Sequence, residues 1–135
     1  MLFDFELVRS FFGDDPIKLR WEGPIILRDI EDNPKLIKRE VGVYKFKQKN
    51  VSGVWYVGRA IEYKNGGLRK RLRDYVRADD SGRKTGIGPD AYTNRDSVRV
   101  WVMYTGEDAR AALIARILEW VFIGKLKPSG NTQKI

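Results

Sequence analysis

The 135-residue chain contains no cysteine and no histidine. Without thiols, disulfides and thiolate metal sites are excluded, and a reducing, cytoplasmic setting is expected. Without imidazole, the commonest general base is gone, and so are Ser-His and Cys-His nucleophile pairs and His-ligated zinc. Hydrolytic chemistry, if present, falls to carboxylates, tyrosine, lysine, arginine or a hard metal ion. A long apolar run is also missing. The longest, Ala111 to Ile123, is interrupted by Arg116 and Glu119 and is too short and too charged to span a bilayer. The opening Met1-Leu2-Phe3-Asp4-Phe5-Glu6 is acidic and lacks the basic start of a signal peptide. There are no internal repeats and no low-complexity tracts.

What is present suits a single globular domain with a real core: 42% hydrophobic and 12% aromatic residues in a chain of this length. The formal net charge is +8 and is unevenly spread. Residues 1–40 carry 7 Lys and Arg against 9 Asp and Glu, whereas residues 41–135 carry 19 against 9. A basic body favours polyanionic partners, although solubility charge alone would also produce one.

Residues 1–40 read as an N-terminal extension packed on the body or adding an edge strand. Within it, Phe3 to Phe12 suits a short helix ended by Gly13-Asp14-Asp15-Pro16, and Ile25-Ile26-Leu27 after Pro24 is strand-like. Val41 to Lys47 and Gly53 to Gly58 are β-rich runs around a polar turn, so they predict an antiparallel hairpin. Folded about Asn50, that hairpin pairs Tyr44 with Tyr56 and Gly42 with Gly58, placing two phenols on one face beside a gap. Leu68 to Arg77 has apolar residues at Leu68, Leu72, Tyr75 and Val76, which is helical spacing. Residues 78–96, with Arg83, Lys84 and Arg95, read as a long loop. Ser97 to Tyr104 alternates as a strand. A helix follows from Gly106-Glu107-Asp108 to about Gly124, apolar almost all round and so expected to be buried. The order β-β-α-β-α from residue 41 predicts an α+β fold: a small three-stranded antiparallel sheet flanked by helices.

Three residues carry candidate chemistry. Arg71 falls at the flank of its helix's apolar face, one turn before Tyr75, either held near the sheet or, more simply, snorkelling or in a local ion pair. Arg69, Lys70, Arg73 and Arg77 fall on or toward the far side, as a solvated face or as phosphate contacts. Glu119 sits among Leu118, Trp120, Val121, Phe122 and Ile123, where a carboxylate needs a partner. Arg116 is the local choice, and a metal ion the sharper one, because Mg²⁺ is often held by a single carboxylate with water and phosphate oxygens. Asn131, following Pro128, reads by itself as a loop-capping amide.

Gly42-Val43-Tyr44 followed by Tyr56-Val57-Gly58-Arg59 resembles the GIY-YIG nuclease signature, with valine for each isoleucine. The later pieces of that pattern are found in order: Arg71 and Tyr75 in Leu68 to Tyr75, Glu119 in Leu118-Glu119-Trp120, and Asn131 in Pro128-Ser129-Gly130-Asn131. The resemblance covers residues 41–131, and the stretch Leu68 to Tyr75 is especially similar to the nuclease domain of bacterial excision-repair proteins. It implies a metal-dependent DNA endonuclease using Mg²⁺ or Mn²⁺. Glu119 would then hold the metal, Arg71 the scissile phosphate, Tyr44 would help activate water, and Tyr56 would orient water or phosphate. Tyr75 would support the nucleophile side or hydrogen-bond the phosphate, and Gly58, Arg59 and Asn131 would support the site. Arg69, Lys70, Arg73, Arg77, Arg83 and Lys84 would follow the DNA backbone. Because a duplex cut needs two sites or two visits, a homodimer or a larger repair or restriction partner is a candidate assembly. A catalytically silent nucleic-acid-binding module on the same fold, and a basic protein-interaction domain, are the alternatives.

Overall fold

The computed structural model describes residues 19–77 and 86–134. The expected helix Phe3 to Phe12, and Arg83 and Lys84, lie outside them. Strands β1 (Glu22–Ile26), β2 (Val41–Gln48), β3 (Tyr56–Ala60) and β4 (Val98–Gly106) form one antiparallel sheet in the order β1-β4-β2-β3. Helices α1 (Leu27–Asp32), α2 (Gly67–Asp74), α3 (Gly88–Thr93) and α4 (Ala109–Leu126) are accompanied by 3₁₀ turns at Pro34–Leu36, after α1, and Ser129–Lys134, after α4. The α+β class holds. The expected three-stranded sheet is corrected to four strands, because β1 pairs with β4 through Ile25↔Val100 and Ile26↔Arg99. The apolar run after Pro24 therefore takes the edge position that a short strand can fill. Leu27, Ile30 and Ile37 from the same segment are fully buried.

Alternation along the strands builds two cores. Tyr44, Phe46, Ala60, Val98, Val100 and Val102 pack with Leu27 and Ile30 of α1, Leu68 and Leu72 of α2, and Ala91 of α3 on one face. Val43, Val57 and Met103 pack with Ile114, Ala115, Leu118 and Phe122 of α4 on the other. The sheet is thus sandwiched between helical layers.

Three further expectations are corrected. The hairpin pairs Phe46 with Tyr56 and Tyr44 with Gly58, two residues away from the expected register. The pairing of β2 with β4 runs on to Gln48↔Val98, while Trp55 N–H returns to the Phe46 carbonyl at 2.8 Å, so the connection is longer on the β3 side. Because the shift is by two, Tyr44 and Tyr56 still share a face, their rings 6.2 Å apart. Gly58 lies across from Tyr44 instead of from Gly42, which pairs with Ala60, and a Cβ on Gly58 would occupy the space of the Tyr44 ring. Next, residues 86–96 are not all loop. Pro89 in the first turn and Asp90 near the helix start favour α3, which buries Ala91. Arg95 pairs with Glu31 at 3.0 Å and stacks on Tyr92, tying this segment to α1. Finally, α4 starts at Ala109 behind Asp108, whose side chain accepts from Ala111 N–H at 2.8 Å. This helix is not buried all round. Leu113 and Trp120, at 49% and 78% exposure, lie on its outer stripe, because only one face meets the sheet.

Among the described residues no helix is long and apolar enough to cross a membrane.

Candidate functional site

β3 ends the sheet, so side chains from both of its faces can meet around its free edge. A cleft of about 480 Å³ wraps that edge, lined by Tyr44, Tyr56, Arg59, Ile61, Arg71, Tyr75, Glu119, Ile123 and Asn131. Tyr44, Tyr56, Arg71 and Tyr75 reach it from the α2 side of the sheet. Arg59 and Glu119 reach it from the α4 side.

On the α2 side, the Tyr44 and Tyr75 hydroxyls form a 2.8 Å hydrogen bond. Tyr44 is 1% exposed and Tyr75 8%. Burial, followed by the neighbouring phenols Tyr75 and Tyr56, raises the Tyr44 pKa well above the ordinary value. Burial raises Tyr75 as well. Tyr56 is only half-buried, and although burial and the Glu119 charge raise its pKa, Arg71 and Arg59 pull it down. All three phenols are therefore neutral at neutral pH. Arg71 donates to the Glu62 carboxylate at 3.2 Å. Burial works against its charge, but Tyr44, Tyr75 and Glu62 outweigh that and raise its pKa. Arg71 is thus held at the sheet and carries a local ion pair, combining the two readings its helical position allowed.

On the α4 side, Glu119 does not pair with Arg116, which points outward. Its partner is Arg59 on β3, with Nη1 2.5 Å from Oε1. The residue following Gly58 thus supplies the cation that a carboxylate within an apolar helix requires. Asn131 is 6% exposed and uses its whole amide on β3: Val57 N–H donates to its Oδ1, and its Nδ2 donates to the Val57 carbonyl, both at 3.0 Å. The side chain acts as a peptide group would in a neighbouring strand, deepening the loop-capping role read from sequence.

Among the described residues Glu119 is the single carboxylate lining the cleft, and no three His, Cys, Asp or Glu side chains gather as a metal cage. This donor set fits a hard ion that keeps most of its water shell and takes one carboxylate. It does not fit a cation needing a full protein cage. Arg69, Lys70 and Arg73 do not reach this cleft; they line another on the opposite flank of α2. Arg77 is exposed beyond the end of α2. Sequence reasoning missed Ile61, Ile123 and Glu62. Ile123 lies one helical turn after Glu119, a signal that spacing could have given.

No protein-family model matches the chain, and no curated protein matches it either.

Proposed function

We propose that the protein is a metal-dependent DNA endonuclease of the GIY-YIG type, hydrolysing a phosphodiester in the cleft at the β3 edge. The observation that supports this most is convergence. Six side chains spread from residue 44 to residue 119, and drawn from both faces of the sheet, line one cleft open to solvent. Core packing gives no reason for a carboxylate, two arginines and three phenols to meet there.

In this reading the Arg71 guanidinium binds a non-bridging oxygen of the scissile phosphate and stabilises charge that grows as the attacking water adds. Tyr56, the most accessible of the three hydroxyls, orients that water. It would take the water's proton only as phenolate, a state that Arg71, Arg59 and a bound divalent ion would favour more at half-buried Tyr56 than at fully buried Tyr44. The buried Tyr44–Tyr75 pair fixes the Tyr56 side of the cleft and stays protonated. A divalent ion such as Mg²⁺ or Mn²⁺, held by Glu119, would supply Lewis-acid stabilisation of the leaving oxygen. Arg59, bonded to Glu119 in the free protein, holds that carboxylate at the cleft. Asn131 keeps β3 straight beneath the site.

The tyrosines' raised pKa values and the engagement of Glu119 by Arg59 also favour a second reading: a nucleic-acid-binding module with no turnover. Supercoiled plasmid incubated with Mg²⁺ or Mn²⁺ at low salt separates the two. The nuclease reading expects nicked or linear product. It also expects Glu119→Ala to lower cleavage more than ~100-fold, the scale on which lost charge stabilisation registers, while duplex binding persists. Cutting that survives in this variant removes Glu119 from the site. Folded protein that binds duplex without cutting it in either metal supports the silent module.

A further inference from the structure

The second cleft, about 320 Å³, lies across α2 from Arg71 and is lined by Arg39, Asn65, Gly66, Arg69, Lys70 and Arg73. Of the described residues that line it, four are cations and none is a carboxylate. Among the described residues Lys70 alone of the four is ion-paired, to Asp74 at 3.6 Å. A solvated lysine-rich surface would look different. Here Arg69, Lys70 and Arg73 are partly buried, and Arg69 Nε is pinned to the Ile37 carbonyl at 2.7 Å. The start of α2 comes so close to the chain leading into β2 that a Cβ on Gly67 would fall 2.5 Å from the Glu40 carbonyl oxygen and 2.6 Å from that of Arg39. That approach, locked by Leu68 N–H donating to the Glu40 carbonyl at 2.8 Å, carries Arg39 beside Arg69 and Arg73. The Arg73 Nε is buried with no hydrogen-bond partner. A buried donor without an acceptor, inside a cluster of like charges, is a destabilising arrangement unless an anion completes it.

We propose that this cleft is a second phosphate site, which takes a backbone phosphodiester of nucleic acid at a distance from the bond that is cut. Guanidinium forks suit phosphate oxygens, and four neighbouring cations suit the repeated charges of a nucleic-acid backbone. Helix α2 would then hold one strand on both flanks, Arg71 at the scissile phosphate and the cleft at another. The proposal uses the nuclease reading only to say which phosphate is cut; binding in the cleft stands without it.

Amide NMR shifts of the full chain, followed against a short DNA duplex and separately against inorganic phosphate, test it, alongside duplex affinity measured across a KCl series. Duplex should shift the amides from Asn65 to Lys70, while phosphate at equal phosphorus concentration should leave them in place. The Arg39→Gln, Arg73→Gln double variant should bind duplex roughly tenfold more weakly, and its salt slope should shrink by about 1.8, near 0.9 per lost contact. Unchanged affinity and slope in a folded double variant would overturn the proposal. If the variant does not fold, duplex that leaves Asn65 to Lys70 unshifted in the unaltered protein overturns it as well. Saturation by phosphate alone would reassign the cleft to a small anion. Plasmid nicking read beside these results keeps the two readings apart. Cleft shifts without nicking defeat the nuclease reading alone, and nicking without cleft shifts defeats the second site alone.

Discussion

The hydroxyl pair Tyr44–Tyr75 and the carboxamide of Asn131 are largely buried polar groups at the base of the cleft, and each has a defined hydrogen-bond partner. Tyr44→Phe removes the 2.8 Å partner of the Tyr75 hydroxyl, leaving it Tyr56, and should cost about 1 kcal/mol in urea unfolding. Tyr44→Phe combined with Tyr75→Phe should cost less than the sum of the two single changes, because the double variant leaves no orphaned donor. Strict additivity would mean that the 2.8 Å hydrogen bond carries no coupling. Asn131→Ala abandons both the N–H and the carbonyl of Val57 and should destabilise by roughly 2–4 kcal/mol. Asn131→Asp keeps the acceptor but sets a charge against the Val57 carbonyl, and its loss should fall as pH is lowered and the carboxyl protonates. Thermal unfolding of both variants between neutral and acid pH checks this.

At the level of elements, Gly58 decides how β3 seats against β2. Gly58→Ala would push a methyl into the Tyr44 ring, with an expected loss of about 1–3 kcal/mol from overpacking and a changed near-ultraviolet tyrosine signal. Trp120→Ala is the contrasting case. The ring is 78% exposed on α4, so its removal should move stability by no more than about 0.5 kcal/mol. These two positions also show what was legible in the sequence. Alternation and helical spacing were enough to locate β2, β3, α2, β4 and α4, and parity placed Tyr44 and Tyr56 on one face. Register was not legible, since the seven residues between Gln48 and Tyr56 permit more than one turn. Neither was the exposure of Trp120, because composition makes α4 look apolar on every side and only packing reveals which side meets the sheet. Helix α3 was hidden by its brevity. The Glu119 partner was hidden by distance, because Arg59 is 60 positions away while Arg116 is three.

For the whole molecule, the buried phenols tie stability to alkaline pH. Their pKa values are raised in the fold, so above the unfolded value, near 10, the unfolded chain releases protons that the folded chain keeps. Their contribution is complete below that point and declines as pH climbs toward the folded values. The slope should approach about 1.4 kcal/mol per pH unit for each such tyrosine. Urea midpoints between pH 9 and pH 11 should show the decline, and the tyrosinate absorbance of Tyr44 and Tyr75 should appear only with unfolding.

One arrangement governs how this molecule can meet copies of itself. The amide of Asn131 sits where the next strand would dock, so the outer rim of the sheet is already stoppered at Val57. Lateral growth by strand addition has no free hydrogen-bonding groups to begin from at that point, and any strand that displaced the stopper would also wall off the cleft. Self-association that leaves the cleft accessible must therefore come from another surface.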